Sequence, residues 1–108
     1  MTLVRVNRTL MSSKNANQNS SEWEQWHGSE LVLDISSPYV ILGTLASYTP
    51  YFLLLKNADV HDLRDSQTTR EQYVVDSRRH GIRINRKSVY VATREIVSVS
   101  RLKDILSD

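Results

Sequence analysis

The chain has no cysteine among its 108 residues, which excludes a disulfide framework, thiolate metal sites and cysteine nucleophiles. Glycine is scarce too. Gly28, Gly43 and Gly81 are the only three, and they lie too far apart to form a phosphate-cradling loop. Three histidines, His27, His61 and His80, are scattered, so a nucleophile with a base and an orienting partner is hard to assemble. No enzyme activity and no cofactor are expected. No apolar run approaches the roughly 18 residues that cross a bilayer, and MTLVRVNRTLMSS lacks the apolar core of a signal peptide. The expectation is a cytoplasmic protein without membrane contact. The net charge of +2 is too small to argue for nucleic acid by itself.

What is present is one small domain. Chains of this size bury roughly 60–70% of their unfolded surface, so they gain from oligomerisation. Residues 1–19 end in the polar SSKNANQNS and read as a flexible extension, leaving 20–108 as the domain. Ser21 and Glu24 match a capping box, so SEWEQWH predicts one or two helical turns stopped by Gly28. Trp23 and Trp26 share a face of that helix and are expected to cover the open end of a barrel. ELVLDI alternates around Leu31, Leu33 and Ile35, and Pro38 follows in a turn. YVILGTLASY is a long strand whose central Gly43 marks a bend or bulge where two backbones approach. After a short turn, YFLLLKNADV returns as a third strand. Thr68 and Glu71 match a second capping box, opening a helix that Gly81 closes. A loop is the alternative there, since Tyr73 and Val74 are the only strong apolar residues early in it. IRINRKSVYVAT and REIVSVSRL alternate with period two and supply the last strands. The fold class is therefore mainly β. It is a small, strongly bent five-stranded antiparallel barrel, with a short N-terminal helix and a helix or loop insertion between strands 3 and 4.

Over residues 30–102 this pattern resembles the Sm and Sm-like (LSm, Hfq-type) family. Leu31, Leu33 and Ile35 match its first strand, Gly43-Thr44-Leu45 its bent glycine-x-leucine strand, and Tyr51 to Leu55 its third. VYVATREIVSVS matches the pair of short apolar strands that meet at a tight link. SH3-type barrels share much of this pattern. The family resemblance implies a cyclic homo-oligomer, with about six or seven subunits as the family's usual number. Strand pairing between neighbours would then run through Val89, Tyr90, Val91 and Ala92 of one chain and Ile96, Val97, Ser98 and Val99 of the next. It also implies where single-stranded RNA would be read. The family holds a base with an aspartate-x-aromatic-apolar-asparagine turn and an arginine-glycine link. Here Thr49 and Leu53 stand at the aspartate and asparagine positions, and Ala92-Thr93 at the link. Leucine cannot read a base edge and alanine cannot clamp one, so the usual uridine pocket is expected to be missing. Tyr51 or Phe52 remains for stacking. Arg94, two residues beyond the expected arginine, could return a guanidinium to the rim.

Two charged stretches complete the reading. Asp59, His61, Asp62 and Asp65 offer an imidazole and carboxylates to a divalent metal, or simply a solvated strand end paired with Arg64 or Arg70. Arg78, Arg79, Arg83, Arg86 and Lys87 offer cations to phosphates; a strand over residues 82–85 would turn its arginine away from the isoleucines. The bland alternative is that neighbouring aspartates neutralise them between subunits. The leading expectation is a ring-forming binding scaffold; if it contacts RNA, contact runs through the phosphates with little base preference. The alternatives are an RNA-free ring presenting segment 60–81 to a protein partner or small ligand, and a monomeric SH3-type peptide binder.

Overall fold

The computed structural model describes residues 22–107. The expected extension over 1–19 and the capping residue Ser21 lie outside the described residues. Five antiparallel strands form one sheet: β1 (Glu30–Ile35), β2 (Tyr39–Tyr48), β3 (Phe52–Asp62), β4 (Arg86–Ala92) and β5 (Ile96–Arg101). Their order across the sheet is β4-β3-β2-β1-β5. One helix, α1 (Arg70–His80), separates β3 from β4.

The sheet curls because its long strands carry bulges. β2 and β3 shift register between Leu42 and Thr44, and again between Leu45 and Ser47. Gly43 lies at the first shift. A Cβ there would meet Ala58 Cβ at 3.0 Å and Leu55 Cβ at 3.1 Å, so only glycine lets the two strands approach this closely. On β3 the extra residue is Asn57, in the left-handed region at φ 50°, a conformation that asparagine tolerates better than most residues.

Alternation along β1 splits the core into two layers. Leu31 and Leu33 face the barrel interior, with Ile41, Leu45, Leu53, Leu55, Ala58 and Val91. Val32 faces outward into a second cluster with Val40, Leu42, Tyr73, Val74 and Leu102. The insertion is thus a helix that packs on the outside of the barrel through Tyr73 and Val74. At the N-terminal end, Trp23 and Trp26 pack on the barrel core, edge to face with centroids 5.5 Å apart. The turn that carries them ends at Gly28, φ 82°.

Two boundaries differ from expectation. The cap of α1 is Thr69, not Thr68: the Thr69 side chain accepts from Gln72 N at 3.1 Å, while Thr68 is engaged with Ser66. The fourth strand begins at Arg86 rather than Ile82. Its ladder with β3 ends at the pair Ala58–Arg86, beside the Asn57 bulge. Beyond that point Asn85 clips β3, its side-chain Oδ1 accepting from Val60 N and its Nδ2 donating to Val60 O. Freed from the ladder, Ile82 drops against the outer core cluster. Arg83 is therefore set by α1 packing and not by strand alternation.

Candidate nucleic-acid interface

The β2–β3 turn is built by Thr49. Its hydroxyl oxygen accepts from Tyr51 N at 3.1 Å and Phe52 N at 3.0 Å, the local bonding an aspartate would give there. The Thr93 hydroxyl donates to Pro50 O at 2.7 Å and Thr93 N to Tyr51 O at 2.9 Å. That fastens the β4–β5 link (Thr93–Glu95) onto the turn. At the other end of the link, Glu95 O accepts from Ser36 N and a Glu95 carboxylate oxygen from the Ser36 hydroxyl. The link therefore joins the two edges of the sheet and closes the barrel.

At the two positions that the resemblance aligned with base-reading groups, the side chains are apolar. Leu53 is fully buried in the barrel core, where an asparagine would have had to reach the rim. Ala92 lies opposite Phe52 in the ladder and offers no polar group. What the rim does present is aromatic: Tyr51 is 74% exposed and Phe52 48%. Tyr90, 69% exposed, stands edge to face with Phe52 at 6.4 Å. Arg94 follows Thr93 in the link with its side chain in solvent, its nearest carboxylate Glu95 at 3.7 Å.

The basic residues lie elsewhere. Arg78 and Arg79 belong to the last turn of α1, and Arg78 donates to Lys103 O at 3.3 Å. Arg83 holds its guanidinium carbon 5.2 Å from the centre of the Tyr73 ring. Arg86 and Lys87 open β4. Arg86 and the rim residue Ala92 stand at opposite ends of that strand, about 20 Å apart at roughly 3.3 Å per residue. The sequence-predicted nucleic-acid residues thus fall into two groups, an aromatic rim and a distant basic stretch.

The acidic stretch does not converge. Asp59, 1% exposed, accepts from the Tyr73 hydroxyl at 2.5 Å and from Asn85 Nδ2 at 3.1 Å. Burial, followed by the hydrogen bond to Asp59, pushes the Tyr73 phenol up to about 12. His61 stacks flat on Tyr73 with ring centres 3.7 Å apart. Asp62 pairs with Arg64 at 2.8 Å, and the hydrogen bond from that guanidinium pulls its carboxyl down to about 2. Arg70 pairs with Asp34 and Glu71. Among the described residues, no three His, Cys, Asp or Glu side chains gather to hold a metal ion. Asp59 and His61 do share a side of β3, but their common partner is a tyrosine from α1. Nothing local in the sequence announces Tyr73 or Asn85 as those partners, because the pairing reaches from β3 to α1 and past it.

β4 and β5 are the two outer strands of the sheet and do not pair with each other. Val89, Val91, Ile96 and Val99 turn inward to the core, whereas Tyr90 and Val97, 71% exposed, point out. No described helix is long and apolar enough to cross a membrane.

No protein-family model matches the chain, and no curated protein sequence does. Among solved structures it is similar to the Sm protein of Pyrococcus abyssii in complex with a uridine heptamer. The two superpose with a TM-score of 0.51 at 8% sequence identity, over 75% of this chain and 93% of that one. A likeness at that identity speaks for architecture: the chain folds as an Sm-like barrel.

Proposed function

We propose that this Sm-like barrel is a ring-forming scaffold that grips single-stranded RNA by its phosphates, with little base preference. The observation that carries this reading is the state of the basic stretch. Among the described residues, Arg78, Arg83, Arg86 and Lys87 form no ion pair with any carboxylate. Within the chain Asp59 is engaged by Tyr73 and Asn85, Asp62 by Arg64 and Asp76 by Gln72, while the exposed Asp65 pairs with none of the four cations. Repetition of such cations around a ring gives a strong positive surface from a small charge per chain.

Two further features support it. Unpaired β4 and β5 edges suit head-to-tail strand pairing between copies. The replacement of base-reading groups by Leu53 and Ala92 removes the means of selecting uridine, while Tyr51 keeps a stacking surface.

Fluorescence anisotropy of labelled U-rich and mixed-sequence RNA, at low and physiological salt, tests the reading. Equal binding of both, weakening steeply with salt, is expected. Absence of binding at low salt would overturn it in favour of a ring serving a protein partner or small ligand through segment 60–81.

A further inference from the structure

The register of β3 against β4 assembles a surface that neither strand shows alone. Phe52 pairs with Ala92, Leu54 with Tyr90, Lys56 with Ser88 and Ala58 with Arg86. Leu53, Leu55 and Val91 are buried in the barrel, so Phe52, Leu54, Lys56 and Tyr90 alternate to the outside. The ribbon therefore begins with an edge-to-face aromatic pair, Phe52 and Tyr90, and continues to the exposed Lys56; Arg86, exposed at the end of β4 opposite the inward Ala58, donates to Asn85 O at 3.1 Å. Segments 52–56 and 86–92 contain no acidic residue, and neither Lys56 nor Arg86 pairs with a carboxylate among the described residues.

We infer that the outer face of the β3–β4 ribbon is a platform for a single RNA strand, with bases stacking on Phe52 and Tyr90 and phosphates meeting Lys56 and Arg86. This inference rests on the RNA-scaffold reading above and extends it from the aromatic rim at the β2–β3 turn along the outer face of the ribbon. Exposed aromatics followed by unneutralised cations on one ribbon are the two elements that sequence-tolerant single-strand binding uses: every base has a face to stack, and every nucleotide a charge to neutralise. A protein segment would suit the apolar end, but an anionic chain also matches the cations beyond it. The face stays open when β4 pairs edge-on with another copy, because edge pairing uses backbone groups in the plane of the sheet.

The test uses the full chain and a labelled mixed-sequence RNA of about 15 nucleotides, within the span of known single-strand sites. Tyr90→Ala should weaken binding about 5- to 100-fold, and Tyr90→Phe, which keeps the ring, should bind within about twofold of the parent. Lys56→Ala should flatten the salt dependence. Ultraviolet crosslinking of the unmodified protein gives a readout independent of assembly: crosslinked peptides should contain Phe52 or Tyr90. Tyr90→Ala binding as tightly as the parent, or crosslinks confined to other segments, would overturn the platform while the phosphate-gripping scaffold stood. An unmodified protein that binds no RNA even at low salt would remove both.

Discussion

Tyr73 shows how one side chain ties an insertion to a barrel. Its ring packs in the outer core, stacks on His61 and faces Arg83, while its hydroxyl serves the buried Asp59. Tyr73→Phe leaves a buried carboxylate with one donor fewer, which should cost about 1–3 kcal/mol in urea denaturation. The phenol titrates at about 12 in the fold against 10.0 when unperturbed. A group raised on folding adds stability that is complete below its unfolded value and is lost as pH climbs through its folded one. Stability of the parent should therefore fall between about pH 10 and 12, and Tyr73→Phe should lack that component. Gly43 was legible from sequence because a glycine inside an apolar strand packs no side chain and is there for the Cβ it lacks. Its contacts make a second expectation concrete: Gly43→Ala should destabilise by about 1–3 kcal/mol, and pairing it with Ala58→Gly should recover part of the loss. Asp59 was legible only as a polar residue on one side of a strand, since its phenol partner is fourteen positions away on another element.

At the scale of elements, strands were easier to read than their ends. Period-two alternation located β1, β4 and β5, and apolar runs bounded by turns located β2 and β3. The start of β4 was misplaced by four residues because 82–85 also alternates, yet its partner strand is broken at Asn57 and Asn85 takes over the pairing with a side chain. The cap of α1 was misplaced by one because Thr68 and Thr69 are adjacent and chemically alike; which one caps is decided by the Ser66–Thr68 bond. Thermal denaturation should separate them. Thr69→Ala should lose about 0.5–2 kcal/mol, and Thr68→Ala much less. The outward Val97 on edge strand β5 invites a different measurement. If β5 meets the β4 of another copy, Val97→Asp should shift native mass toward the single-chain 12.5 kDa.

For the whole molecule, the fold was written in the ordered pattern of strands and the bent glycine strand, while the candidate interface was only half visible. That Leu53 and Ala92 carry no group able to read a base edge could be seen directly in the sequence. The distance between aromatic rim and basic stretch could not, because it depends on which β4 residue meets which β3 residue. Salt is the probe that belongs to this scale. For single strands log K falls with log salt at about 0.7 per phosphate contact, so four contacts should lose about fifty-fold in affinity between 50 and 200 mM salt. A shallower slope would point to stacking as the main hold.

The link of Thr93–Glu95 closes each barrel on itself through hydrogen bonds to Pro50, Tyr51 and Ser36, yet it leaves β4 and β5 with one free side each. Any arc of copies joined β4 to β5 ends with one strand of each kind exposed, whether the arc holds two chains or five. Lengthening the arc removes neither loose end, and closing it removes both at a stroke. Were copies to join in this way, such a seam would favour an all-or-none census, single chains beside complete circles with few part-built arcs between them.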